Sequence, residues 1–300
     1  MGRCRLNLVL LVTASLVFGM GTAQAAENYK IGVLAKNGPV KALQMWGATA
    51  EYLNAKLPGK TFEIAPLDFK DVFPAVQEGR VSFFLVNSSM FVSAQRDYGA
   101  SAIATMTNSR QGKALSAFGG VIFTAADNDA INDLADLRGK TFMAVDGTSF
   151  GGWQMAYKEL VDAGVDPKAD LAKLEFGGKH DNVVLAVVNG AVEAGTVRTD
   201  TIERMAADGL VSLDDVKVIH PVAHPGFPFL CSTALYPEWP LAKTSSTPDE
   251  LAQAVATALR AMQPDDKAAK DAKVVGWSAP LDYAPVLKLQ ETLHLETSGN

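Results

Sequence analysis

Residues 181–209 read DNVVLAVVNGAVEAGTVRTDTIERMAADG, and their layout repeats that of residues 71–99, DVFPAVQEGRVSFFLVNSSMFVSAQRDYG. Each runs as a helical stretch, a glycine (Gly190, Gly79), a short apolar strand (VEAGTV, VSFFLV), a polar turn (Arg198-Thr199-Asp200, Asn87-Ser88-Ser89), a second helical stretch and a closing glycine (Gly209, Gly99). A polar turn that follows the carboxyl end of a strand and opens a helix is where open α/β sheets place ligands. Two such units predict two similar lobes. Around them strands and helices alternate from Tyr29 to about Ile219: YKIGVLA, a loop with Lys36, Asn37 and Gly38, a helix over about Val40–Leu57 ended by Pro58-Gly59, then TFEIAPL. The alternation predicts an α/β fold with mainly parallel strands.

Two stretches suit passages between lobes: Arg110–Ser116, polar and containing Gly112, and His220–Pro228, with its three prolines. They set lobe one at residues 26–112 plus 224–300 and lobe two at 113–223. A double crossing of this kind is the topology of a hinge-closing binding protein with a ligand cleft between its lobes. From Pro248 the chain reads as an Ala-rich helix, then GWSAPLDYAPV, then a final short helix.

Within lobe two, residues 146–153 read DGTSFGGW, and Gly147, Ser149 and Gly151 have the G-x-S-x-G spacing that presents a nucleophilic serine in hydrolases. The apolar Phe142–Val145 before it reads as a strand, and Trp153, Ala156, Leu160 and Val161 after it repeat at helical spacing. Three chemistries share this pattern. A hydrolase needs an acid and a histidine downstream, and His180, His220, His224 and His294 are available, but no HGGG-like oxyanion loop precedes Ser149. An anion cradle uses the Thr148 and Ser149 hydroxyls with the free N–H groups of the helix N-terminus. A plain N-cap uses Ser149 alone. The cradle is favoured.

Arg198, at the end of VEAGTV beside Thr196 and Thr199, is placed to aim its planar fork of donors into the cleft; its ordinary alternative is pairing with Asp200 or Glu203. His180 stands in the turn Gly177–Asp181, where Asp181 suits an N-cap and His180 can donate into the cleft. Asn87, Ser88 and Ser89 are the matching turn of lobe one, with N-capping as their alternative role, and Trp153 is the aromatic that its motif places at the cleft. His220 and His224 have the spacing of a helical metal pair, but Pro221 and Pro225 oppose a helix there, so no metal site is expected. No cofactor is implied.

The amino terminus carries two arginines in MGRCR, an apolar Leu6–Gly21 and Ala23-Gln24-Ala25, the pattern of a cleaved export signal over residues 1–25. Losing Arg3 and Arg5 moves the net charge from -6 to -8, which gives no bias toward nucleic acid yet leaves room for a locally bound small anion. Cys4 leaves with the signal, so Cys231 stands alone and no internal disulfide forms. The apolar FPFL before Cys231 points to burial. A monomer is expected.

YKIGVLA, PLDF, AVQEGRVSFFLVN, FGGVIFT, LADLRGK, DGTSFGGWQMAYKEL, GKHDNVVLAVVNGAVEAGTVRTD and STALYPEWP together resemble the periplasmic binding proteins of phosphonate and phosphite ABC importers. They resemble still more the periplasmic sensor domain of tetrathionate-type histidine kinases. The resemblance spans about Tyr29–Leu293. It implies the type II periplasmic-binding fold and a small oxyanion held between lobes, partly through residues matched by Thr148 and Ser149. The implied partner is an ABC permease or a membrane sensor kinase. Phe91 stands where a tyrosine is expected in the sensor relatives, and the chain reaches Asn300 without a membrane helix or kinase, so a free-standing binding protein is favoured over a detached sensor input.

Overall fold

The computed structural model describes residues 1–2 and 27–295. The expected export signal lies, apart from Met1 and Gly2, outside the described residues.

The chain opens with strands β1 (Glu27–Leu34), β2 (Lys60–Leu67), β3 (Phe83–Leu85) and β4 (Ser101–Arg110), then short β5 (Lys113–Leu115) and β6 (Ala117–Phe118). It continues with β7 (Gly120–Ala125), β8 (Thr141–Ala144), β9 (Lys173–Phe176), β10 (Ala194–Arg198) and β11 (Val216–Ile219), and ends with β12 (Tyr236–Pro237), β13 (Pro240–Lys243) and β14 (Val274–Ser278). One sheet has the order β14-β4-β13-β3-β1-β2, with β5 paired to β4; the other runs β11-β7-β10-β8-β9. Strand for strand, β2-β1-β3-β13-β4 repeats as β9-β8-β10-β7-β11. In each, three parallel strands meet one antiparallel strand, β13 or β7, that follows a passage from the other lobe. The two similar lobes read from the sequence are thus a repeat of topology.

The helices are α1 (Pro39–Lys56), α2 (Val72–Gln77), α3 (Ser88–Tyr98), α4 (residues 150–162, a π-helical turn Phe150–Gln154 running into Met155–Asp162), α5 (His180–Val188), α6 (Thr201–Ala207), α7 (Asp249–Arg260), α8 (Lys267–Ala272) and α9 (Ala284–Thr292). Local chemistry sets their ends. Pro39 opens α1, where its missing N–H costs nothing. The Asn87 Oδ1 accepts the Met90 N–H at 2.9 Å to cap α3, and Gly99, at φ 67°, closes it in the left-handed region.

The centre of the second sheet is covered on both faces by helices, so the inner strands β7 and β10 are buried along almost their whole length. Ile122, Phe142, Ala144 and Ala194 pack under Trp153, Ala156 and Leu160 of α4 on one side. Val121, Phe123 and Val197 pack under Val183, Val184 and Val187 of α5 on the other. A separate core fills lobe one. Among the described residues no helix is long and apolar enough to cross a membrane.

The stretch GWSAPLDYAPV opens on the end of a strand that its sequence does not announce. Val274–Ser278 adds to the β4 edge, where Trp277 tilts against Trp46 at 6.1 Å. Passage between sheets runs through β6 and β12, which pair antiparallel, Phe118 opposite Tyr236 and Ala117 opposite Pro237. After the proline-rich His220–Pro228, residues 230–233 bond to the second sheet and its helices. Leu230 N–H donates to Glu203, Ser232 N–H to the Gly120 carbonyl, and the Thr233 hydroxyl oxygen accepts the Gly120 N–H. The prolines mark a bend in that run, and the chain returns at β12.

Candidate functional site

The first turn of α4 decides what the DGTSFGGW motif does. Ser149 N–H reaches the Asp146 carbonyl at 3.0 Å, closing a tight turn, and the Ser149 carbonyl accepts Gln154 N–H at 3.1 Å, a bond one residue wider than an α-helix makes. The widened turn leaves the N–H groups of Phe150, Gly151, Gly152 and Trp153 without acceptors inside the helix. Two glycines are required by packing. A Cβ on Gly151 would meet Phe118 at 2.9 Å and the Arg198 Cβ at 3.2 Å, and one on Gly152 would meet Val145 at 2.5 Å and the Ser149 hydroxyl at 2.7 Å. Backbone therefore approaches the pocket closely with its positive helix end exposed to it.

Ser149 is buried, and its hydroxyl makes no hydrogen bond among the described residues; it faces a narrow pocket shared with Leu34, Lys36, Asn87, His180, Arg198 and Trp239. Thr148 behaves differently. Its hydroxyl and its N–H both donate to Asp146 Oδ1, at 2.7 and 2.8 Å, so it shapes the turn, and its carbonyl accepts Asn87 Nδ2–H at 3.1 Å across the cleft.

His180 is buried at the start of α5, where its Nδ1 accepts the Arg198 N–H at 3.2 Å. That bond fixes the neutral tautomer with hydrogen on Nε2, so the ring offers the pocket a donor. Burial first, then the cations Lys36, Arg198 and Arg204, holds its pKa well below the usual histidine range. Asp181, the expected cap, instead pairs with Arg204.

Arg198 is brought to the pocket, but its fork is occupied. Both terminal nitrogens donate to Glu238, one at 3.1 Å, and the guanidinium stacks on Phe118 at 4.1 Å. Burial opposes its charge, and Glu238 and Asp200 outweigh that effect, raising its pKa. Only Nε is without a hydrogen-bond partner, 3.7 Å from Asp200. Asp200 sits in the left-handed region at φ 74° and takes a hydrogen bond from Arg110 at the end of β4. Arg110 with Asp200 and Arg198 with Glu238 thus tie the lobes across the cleft.

The remaining expected residues lie outside the pocket. The Ser88 hydroxyl donates to the Pro237 carbonyl, and Ser89 donates to Gln154 while accepting from Gln290. Trp153 stacks on Tyr157 at 5.0 Å inside the second-sheet core, where its helical spacing with Ala156 and Leu160 directs it. Thr196 is fully buried in β10 with an unpartnered hydroxyl. Cys231 is buried, 3.3 Å from the Thr233 carbonyl, and burial raises its thiol pKa.

Lys36, at the carboxyl end of β1, was given no role by the sequence. It lies 5.5 Å from the Trp239 ring centre, faces His180, Arg198 and Asp200, and has no carboxylate partner among the described residues. Burial, then Arg198 and Arg110, outweighs Asp200 and Glu238 and pulls its pKa down to about 7. The rule that exposed the other turns, a polar residue where a strand gives way to a helix, applies to it equally. A cation without an acid, a helix N-terminus, a free hydroxyl and a fixed imidazole N–H converge, an arrangement with the charge and the donors to hold an anion.

Comparison with known proteins gives the family and the fold. The profile of the phosphonate ABC transporter periplasmic substrate-binding protein family matches residues 31–283. The tetrathionate sensor histidine kinase TtrS of Salmonella typhimurium is 36% identical over 235 residues, which are 78% of this chain but 39% of that protein; the chain spans about two fifths of this relative's length. A binding protein component of an ABC phosphonate transporter from Pseudomonas aeruginosa superposes with a TM-score of 0.73 at 17% identity, covering 90% of this chain and 87% of that one. PhnD1 of Prochlorococcus marinus in complex with methylphosphonate gives 0.71 at 13% identity, covering 90% and 99%. The fold is that of type II periplasmic binding proteins. The chain belongs to the family of periplasmic substrate-binding proteins of phosphonate ABC transporters.

Proposed function

We propose that this protein captures a small oxyanion between its lobes at the N-terminus of α4 and presents it to the permease of an ABC importer. The observation that carries the reading is the convergence of Lys36, the unpartnered Ser149 hydroxyl, the His180 imidazole and the helix-start backbone of Phe150 and Gly151 on one pocket. Lobe one brings Lys36 and Asn87, lobe two the helix end, and ligand closes one on the other about β6 and β12. Residues 1–25 direct export and are removed, and the mature protein acts as a monomer. It performs no catalysis. His180 Nδ1 already accepts a backbone N–H, and Nε2 carries its own hydrogen, so the ring has no lone pair free to take the Ser149 proton.

A second reading, the ligand-sensing input of a two-component kinase, is favoured by the 36% identity to a tetrathionate sensor. A thermal-shift screen of methylphosphonate, phosphite, phosphate, sulfate, thiosulfate and tetrathionate separates the two. Stabilisation by a phosphorus oxyanion, lost in Ser149→Ala, supports the importer reading; stabilisation by tetrathionate alone supports the sensor; labelling of Ser149 by a fluorophosphonate overturns both.

A further inference from the structure

Lys36 stands where three spaces meet. It lines the narrow pocket at the N-terminus of α4, a space beneath α1, and a cavity of about 230 Å³ that reaches exposed Lys41 and Lys273 at the cleft mouth. Small uncharged molecules therefore have a path to the half-buried Lys36 from solvent.

Charge around this residue is unbalanced in one direction. The nearby carboxylates are taken: Asp200 by Arg110, Glu238 by Arg198 and Asn108, and Asp208 by Arg204. Lys36, Lys41 of α1 and Lys273 after α8 have no carboxylate partner among the described residues. The surplus disfavours an ammonium at Lys36 and favours an anion in its place. The donors beside it have the same sense. The buried Ser149 hydroxyl and the indole Nε1–H of buried Trp239 are without hydrogen-bond partners, and both residues share the α4 pocket with Lys36 and His180. A lysine paired with a carboxylate would be held as the ammonium; Lys36, brought to a pKa of about 7 by burial and by Arg198 and Arg110, is in large part the free amine near neutral pH and so is a nucleophile.

We propose that Lys36 is a carbon dioxide site: its amine adds CO2 to form a carbamate, whose carboxylate occupies the anion pocket and excludes external oxyanions. The Nζ lone pair attacks the carbon of CO2, and the N–C bond forms as one C=O pair moves onto oxygen. The proton left on nitrogen passes to solvent through the mouth, because His180 Nδ1 already accepts a backbone N–H and Nε2 carries its own hydrogen. Amine and CO2 thus give carbamate and a proton, with no change of oxidation state. A neutral group becomes an anion among Arg198, Arg110 and the start of α4, which stabilise it. This rests on the anion-pocket reading above and adds a regulator of the same site.

The test is carbon-13 NMR of the full chain, equilibrated with labelled CO2 and bicarbonate near neutral pH. A carbamate resonance is expected that Lys36→Arg and Lys36→Met both lack and that saturating methylphosphonate removes; trapping with a trialkyloxonium salt, followed by peptide mass spectrometry, should place the adduct on Lys36. Calorimetry then compares CO2-free and CO2-equilibrated buffers of equal pH and ionic strength. Methylphosphonate affinity should fall with CO2 in the wild type and stay unchanged in Lys36→Arg, which keeps a cation but has no free amine to react. Absence of a Lys36-dependent resonance overturns the proposal. So does an adduct that methylphosphonate fails to displace, or an equal fall in affinity in Lys36→Arg, which would mark bicarbonate as a simple competitor. In those cases methylphosphonate binding that weakens in Ser149→Ala leaves the oxyanion reading standing. If no tetrahedral anion binds, the oxyanion reading falls, and the Lys36 resonance alone decides the adduct.

Discussion

Raising the pH through the titration of Lys36 should weaken anion binding, and the structure gives the size of the effect. Lys36 has no acid partner among the described residues, and burial together with Arg198 and Arg110 brings its pKa to about 7 in the unliganded protein. A bound anion favours the charged amine, so its pKa is higher in the complex than in the free protein. Between those two values binding takes up a proton, and affinity falls as pH rises, by a factor approaching ten per pH unit. With a free-state pKa of about 7, only about one tenth of the protein carries the Lys36 charge at pH 8 and about one hundredth at pH 9, so affinity should fall about tenfold and about a hundredfold from its value at pH 6. His180, held well below the ordinary range, stays neutral throughout and does not contribute. Calorimetry with methylphosphonate at pH 6, 7, 8 and 9, in buffers of different ionisation enthalpy, reads both affinity and proton uptake. The same series in Lys36→Met removes the ligand's own titration by difference. Parallel profiles for wild type and variant, with equal proton uptake, would refute the reasoning.

Other outcomes follow from the same contacts. Ser149→Ala should keep the fold and lose about 1–3 kcal/mol of oxyanion binding, the range for a hydrogen bond to a charged group, as measured by calorimetry. Gly152→Val drives a side chain into Val145 and the Ser149 hydroxyl, and should cost about 1–3 kcal/mol in urea melts and abolish binding. Glu238→Ala leaves the Arg198 guanidinium buried without its carboxylate and should destabilise by about 3–5 kcal/mol, most of it recovered in the double variant with Arg198→Met. Cys231, buried with a raised pKa, should resist tetrathionate in the native protein and react in urea, which mass spectrometry distinguishes.

The two-lobe architecture was legible because it is written locally. Glycine, apolar strand, polar turn and helix recur at residues 71–99 and 181–209, and each signal acts over a few residues. Ser149 and His180 were legible for the same reason, as turns at the start of helices. Arg198 was read half correctly: its strand end aims it inward, but its partner Glu238 lies 40 residues on, in the sequence YPEWP, where nothing local marks an acid as buried. Lys36 was missed because its character comes from Trp239, Arg198 and Arg110, all distant in the chain, and a lysine in a loop beside Asn and Gly looks solvated until the lobes are assembled. Trp153 shows the opposite failure. Its spacing with Ala156 and Leu160 already marked the buried face of a helix, and its place in the FGGW motif was given more weight than that period. The strand at Val274–Ser278 depends on the β4 edge it covers, which no nearby residue signals.

The central claim is that the N-terminus of α4 and Lys36 together hold the ligand's oxyanion. A crystal structure of the protein with methylphosphonate tests it most directly. The account predicts phosphonate oxygens within hydrogen-bond distance of the Ser149 hydroxyl, of N–H groups in residues 150–153 and of the Lys36 amine, with Ser149 unmodified. Phosphonate bound elsewhere, or density continuous with the Ser149 Oγ, would contradict it.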